Sequence, residues 1–417
     1  MMFRAGKVTA FTNALVLAFP ILLLCVPKGA GIFLGAILLL ALIVHSGMGP
    51  TLSQYRATLW PIGLAILALV LVFLGSKLYF HVPWNVMDNP SRILLLLVTC
   101  LVILKIAPDP QRIWRGITIA LAMSLVVVLF QYWVLNDPRP SAWTQAIAFG
   151  NMVAALGLIG FVRPGTSRKS HLVAWLDLAL AGSVLIVNGT RGAWLALFIT
   201  MIPLLFVRYP SMRPAKFFGA VVLIAALAAG FYLVPGSPVA QRVDLVRGQW
   251  EQFQHGNTET SVGARLKLWQ MALESIHLHP WLGVGVGQFA RIPQSSIFCK
   301  EHGSSDVCTL EHAHNDVLEA AATMGMPGML ALLGLFLVPG VLFWRLLGVC
   351  RRNANPLGVS LCASGIGVVM ASLISGLTQV TMAHQANIVF YAGVIGLLLG
   401  LAAVQAKYPR ADGVEKT

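Results

Sequence analysis

The sequence predicts an all-α polytopic membrane protein of about twelve transmembrane helices with one large outward-facing loop. Three observations carry this. Of 417 residues, 57% are apolar and only 11% charged, and the mean hydropathy is +0.79, outside the range of soluble globular domains. Apolar runs of about 20 residues, enough to cross a hydrocarbon core of about 30 Å, recur along the chain. The basic residues behind the net charge of +14 punctuate those runs and form no continuous face, so they read as topology signals and no nucleic acid is expected as a partner.

The first run, Ala10 to Val26, follows Arg4 and Lys7 but precedes no small-residue cleavage site, and a second run begins at once. It is therefore read as a retained helix and not a signal peptide. Spans follow near 10–27, 30–46, 60–79, 92–108, 113–135, 143–162, 172–188, 191–208 and 215–234, and again near 317–347, 357–380 and 386–406. The connections at 28–30 and 188–191 are short enough to demand membrane hairpins. This divides the chain into transmembrane residues 1–234, a loop at 235–316, and residues 317–417 with three further spans and a short tail. Four of the six cysteines, Cys25, Cys100, Cys350 and Cys362, fall in or beside apolar runs, where a thiol acts as a small hydrophobe.

Orientation follows from Lys and Arg, which mark the cytoplasmic side. With both termini inside, 18 basic residues lie in inner segments and adjoining helix ends, five in short outer loops and six in 235–316. An even number of spans then places the long loop outside, in the periplasm if the cell is Gram-negative.

That loop holds six of the ten histidines and eight of the fifteen carboxylates, and long loops between tightly packed spans are usually functional. Within it Gln241 to Phe253 and Val262 to Ile276 have helical spacing, the second at Leu266, Trp269, Leu273 and Ile276, and both helices are expected to lie on the membrane. Cys299 and Cys308 enclose a short loop in an oxidising compartment, which favours a disulfide over two free thiols.

Three sites break the apolar pattern. Arg191 opens a helix behind Thr190, a plausible N-cap. A cation there opposes the helix dipole, a conflict that a bound anion relieves; the other reading is an arginine reaching lipid headgroups. Arg265 repeats the arrangement in the first turn after Thr260 and Ser261, with Lys267 close behind. Two such arginines on one membrane face suggest a pyrophosphate clamp, against the alternative of a helix held by anionic lipids. The third site, Glu311-His312-Ala313-His314-Asn315-Asp316 and on to Glu319, is the densest polar cluster in the chain. A single His-x-His pair lacks further ligands at recognisable spacing, so a general base is favoured over a metal site. A helix N-terminus would also keep such a ring neutral. A histidine merely bonded to a carboxylate is the structural alternative.

Between these lies His279-Pro280-Trp281-Leu282-Gly283-Val284-Gly285-Val286-Gly287, whose alternate glycines admit close approach of a ligand or another backbone. No strand and βαβ unit precede them, so a nucleotide loop is a poor reading. Asp177, within a span, should face the bundle interior, paired or wet.

In order, Arg191 opening an outer hairpin, Arg265-x-x-x-Trp269, His279-Pro280-x-x-Gly283-x-Gly285 and His314-Asn315 before Gly325 and Gly328 resemble the O-antigen ligase and polymerase superfamily, over roughly 185 to 335 at motif level. The resemblance implies a GT-C-like, inverting, metal-independent glycosyltransferase without a cofactor. Its donor would be undecaprenyl-pyrophosphate-linked O-antigen and its acceptor, in the ligase branch, a sugar of lipid A-core, in the Gram-negative inner membrane. It implies that Arg191 and Arg265 hold the pyrophosphate and that His314 activates the acceptor hydroxyl, with His312 as partner or substitute. Trp269, Asn315, Gly283 and Gly285 are expected to support the site. An O-antigen polymerase and a protein O-oligosaccharyltransferase would share the donor site. A transporter of lipid-linked glycan or solute would instead show corresponding broken helices in two similar halves, whereas here the polar residues gather in one loop.

Overall fold

The computed structural model describes residues 2–211, 238–382 and 384–407, together with single positions between 212 and 237. The described residues are helical with no strand. Helices of seven or more residues are numbered in chain order: α1 Met2–Cys25, α2 Gly29–Val44, α3 Met48–Gln54, α4 Arg56–Tyr79, α5 Leu94–Ile106, α6 Gln111–Trp133, α7 Ala146–Phe161, α8 Arg168–Asn188, α9 Arg191–Arg208, α10 Pro238–Gln254, α11 Ser261–Leu278, α12 Asp316–Arg352, α13 Pro356–Gly376 and α14 Gln385–Lys407. Among the described residues nine helices are long and apolar enough to cross a membrane, or ten if a bent pair is one span. The chain is a multi-pass membrane protein. The expected span at 215–234 lies mostly outside the described residues.

Three expected spans differ in form. The run at 30–46 becomes α2, followed by a bend of 102° into α3. The run at 143–162 becomes α7, whose 16 residues reach about 24 Å. Every residue of α7 from Met152 to Phe161 is buried, because α6, α8, α9 and α13 pack around it. Its apolarity serves the bundle core and not lipid. The run at 357–380 ends as helix at Gly376, and residues 377–382 are irregular, for a reason that emerges at the site.

α14 is the other central helix, buried along its whole apolar window. A Cβ on Gly396 would lie 2.5 Å from the Leu96 carbonyl oxygen and one on Gly400 2.8 Å from Ile103. This small-xxx-small pair lets α14 and α5 approach closely, the packing that substitutes for hydrophobic driving force between helices in lipid. Asp177 is fully buried and paired with Arg163, Nη2 to Oδ2 at 3.3 Å, which satisfies the expectation for a carboxylate within a span.

α12 is 37 residues long but breaks at Gly325, whose φ of 68° and ψ of −169° are not helical. The glycine-rich loop after α11 fills this break. Val284 and Gly285 donate N–H groups to the Ala322 and Thr323 carbonyls at 3.0 and 2.9 Å, and Met326 N–H donates to Pro280 O at 2.8 Å. Backbone groups freed by the kink are thereby satisfied, as an apolar setting requires. Gly283 has φ 62°, and a Cβ there would sit 2.4 Å from the Thr323 carbonyl carbon. Gly283→Ala is therefore expected to destabilise the protein by more than about 1 kcal/mol, seen as a lowered melting temperature in detergent. An unchanged melting temperature would show that the loop does not clamp the kink.

Candidate active site

The junction of α8 and α9 is held from below. Gly189 ends α8 with φ 73°, and Asn188 Nδ2 donates to Pro140 O at 2.9 Å. The Thr190 hydroxyl makes no cap for α9; it donates to Ala146 O at 3.2 Å and to Asn188 Oδ1. Arg191, first residue of α9, thus starts from a fixed backbone. α11 is capped as its sequence suggests, Thr260 Oγ1 accepting from Gly263 N–H at 3.0 Å, which fixes the turn that carries Arg265.

These two arginines meet in one cavity of about 550 Å³, which Arg139 also lines, along with Asn151, Ser261 and Gln379. Among the described residues lining it none is acidic. Burial holds the Arg265 guanidinium below its usual range, and the neighbouring charges of Arg191 and Arg139 push the same way. The gathered cations raise a local field that an anion relieves. Guanidinium forks match phosphate oxygens in particular. Lys267 turns elsewhere, lying over the Phe298 ring at 4.7 Å.

The polar cluster before α12 is built by interlocking bonds. Asn315 Oδ1 caps the helix, accepting from Val317 and Leu318 N–H at 3.0 and 3.1 Å. Asp316, buried, accepts from Thr381 N–H at 2.8 Å and Met382 N–H at 3.2 Å, and from the Thr381 hydroxyl. Those bonds take the Thr381 and Met382 N–H groups out of a helical ladder, which is why α13 stops early and 377–382 runs past the cluster. Glu319 Oε2 accepts from Ala313 N–H at 2.7 Å, and Trp269 Nε1 donates to Ala313 O at 2.9 Å. Arg265 and Trp269, four apart on α11, share a helix face: one enters the cavity and the other anchors the histidine segment.

Within this frame His314 is held at φ 51°, a left-handed conformation costing a non-glycine residue roughly 1–2 kcal/mol that persists only where its surroundings impose it. Its Nδ1 lies 2.7 Å from Gln379 Oε1. An amide oxygen only accepts, so Nδ1 carries the hydrogen and Nε2 the free lone pair. Burial lowers the affinity of His314 for a proton, outweighing the Gln379 bond, and the charges of Arg265 and His312 lower it further. His312 is moved the other way: its bond to Glu319, Nδ1 to Oε1 at 3.3 Å, raises it. It lines a different, smaller cavity, of about 280 Å³, with Asp316 and Glu319. The two histidines therefore differ in charge preference. Among the described residues no three His, Cys, Asp or Glu side chains converge as metal ligands.

Cys299 and Cys308 are joined in a disulfide with Cα atoms 5.7 Å apart. The loop it closes bonds back to the start of α11, Asp306 N–H donating to Glu259 Oε2 at 3.1 Å. Gly283 and Gly285 lie outside the arginine cavity and act through the α12 kink.

Residues 176–333 match the family model described as O-antigen ligase. An O-antigen ligase of Escherichia coli strain K12 is 24% identical over 186 residues, an alignment covering 43% of each chain. An uncharacterized protein of Haemophilus influenzae is 25% identical over 402 residues, 94% of this chain and 98% of that one. The matched stretch contains Arg191, Arg265, Trp269 and both histidines of the cluster. It does not contain three groups that the fold brings to the site and that sequence reasoning missed: Arg139, Gln379, and His384, whose ring is lowered by burial and by the charges of His312 and His314. Arg139 sits between Pro138 and Pro140 in a loop without periodicity, and Gln379 lies inside what reads as the end of an apolar span.

Proposed function

We propose that this protein is an inverting, metal-independent glycosyltransferase that moves O-antigen polysaccharide from undecaprenyl pyrophosphate to a sugar hydroxyl of lipid A-core. The observation that carries the reading is the cavity lined by Arg139, Arg191 and Arg265, bordered by Gln379, the residue that bonds His314. On this reading the mouth opens to the periplasm of a Gram-negative inner membrane with both termini cytoplasmic, an orientation that the Lys and Arg bias supports. No nucleotide is needed there, since the lipid pyrophosphate is already a good leaving group.

In the reaction the acceptor oxygen attacks the anomeric carbon from the face opposite the pyrophosphate. The new glycosidic C–O bond forms as the bond from that carbon to the phosphate oxygen breaks. The hydroxyl proton passes to His314 Nε2, and undecaprenyl pyrophosphate departs with the bonding pair. Arg139, Arg191 and Arg265 meet the charge that develops on the departing group, a contact worth more in the transition state than in the ground state.

The test is transfer of undecaprenyl-pyrophosphate-linked glycan onto purified lipid A-core by the protein in detergent, with and without EDTA. Glycosylated lipid A-core that forms equally in EDTA is the expected result. Joining of two lipid-linked glycans, or transfer to Ser or Thr of a peptide, with lipid A-core left untouched, would overturn the choice of acceptor. Inhibition by EDTA would overturn the metal-independent mechanism.

A further inference from the structure

Resting on the reading of His314 as the base, we infer that Gln379 is a positioning residue for the transfer reaction: its side-chain oxygen fixes the His314 tautomer so that Nε2 presents its lone pair to the acceptor hydroxyl. The inference starts from the bond between His314 Nδ1 and Gln379 Oε1 at 2.7 Å and from the way both partners are held. Gln379 is buried and stands two residues before Thr381, which is tied to buried Asp316 by the Thr381 N–H at 2.8 Å. Asn315 Nδ2 also donates to Leu377 O at 3.2 Å. Segments 312–316 and 377–382 are thus latched on both sides of the His314–Gln379 bond.

The choice of an amide here has a chemical consequence. A carboxylate in the same place would accept the same hydrogen bond but would also stabilise imidazolium, raising the pH below which the ring is protonated and unable to take a proton. Gln379 orients without adding charge. The titratable groups facing His314 are Arg265 from α11, His312 and Glu319 from its own segment and α12, and His384 from the segment before α14. Arg265 and His312 oppose a proton on His314, while Glu319 favours one. A neutral orienting group keeps that set weighted toward the unprotonated ring. Gln379 also lines the arginine cavity, so the same residue touches the space assigned to the donor pyrophosphate and sets the base beside it.

The experiment uses the full chain in lipid nanodiscs, as wild type, Gln379→Glu, Gln379→Leu and His314→Ala. In ¹⁵N-histidine spectra of the wild type, the resonance missing from His314→Ala is expected to be that of a ring protonated on Nδ1 alone. In Gln379→Leu the tautomers should mix, and kcat should fall roughly tenfold or more with little change in KM for the donor. In Gln379→Glu the acid limb of the pH profile should move up by about one unit or more, with activity recovered at higher pH. A merely structural role would move stability but not the limb. A His314 ring protonated on Nε2, or a Gln379→Leu enzyme with wild-type kcat and pH profile, would overturn the inference. If Gln379→Leu does not fold, the wild-type spectrum and Gln379→Glu decide. Wild-type activity in His314→Ala would sink the base assignment instead, and the spectra would still report on Gln379.

Discussion

Arg265→Ala is expected to lower kcat for transfer from the lipid pyrophosphate donor by about 10²–10³-fold, the usual cost of removing one fixed donor from developing transition-state charge. The size of the effect follows from where the guanidinium sits. Burial weakens its hydration, and two like charges oppose it, so an anion entering the cavity would give it a strong favourable interaction. As the anomeric bond breaks, the pyrophosphate gains negative charge and that interaction deepens. Arg191→Ala should lose a similar factor for the same reason. Arg265→Lys should recover only part of the loss, because an ammonium lacks the planar fork that engages two phosphate oxygens. Steady-state kinetics with varied donor separate the alternatives. A raised KM with unchanged kcat would mean that Arg265 only binds the donor in its ground state, and the leaving-group role would fall.

How much of this was legible beforehand depends on whether a signal was local. Arg191 and Arg265 stand out in the sequence because each opens a helix with the wrong charge for its dipole, and the histidine cluster stands out by polarity alone. Arg139 reaches the same cavity from a proline-flanked loop between α6 and α7, and no local pattern announces it. Gln379 was hidden because it falls at the end of the apolar span read over 357–380; only the long-range claim of Asp316 on Thr381 ends the helix before it. The same limit applies to α7. Composition shows that a segment avoids water, but whether it meets lipid or other helices is decided by neighbours distant in sequence. The break at Gly325 was equally silent, since its compensation comes from the loop at 280–285.

His314→Ala should reduce the rate by roughly 10²–10⁴-fold, the share general-base catalysis commonly supplies, whereas His312→Ala should cost far less because that ring faces Glu319 and another cavity. The pH dependence follows with a definite sign. A base acts in its unprotonated form, so kcat/KM should fall as pH drops through the free-enzyme His314 titration. Burial lowers that titration first, and the charges of Arg265 and His312 lower it further, so the acid limb should lie below the ordinary histidine value of about 6.5. Removing a cationic neighbour must then raise it: in Arg265→Ala the residual activity should show an acid limb at higher pH than wild type. This links the two halves of the site in one measurement. If the limb is absent from His314→Ala and moves up in Arg265→Ala, the base and the clamp are adjacent and electrostatically coupled. A limb that persists unchanged in His314→Ala belongs to another group, and His314 is then not the base.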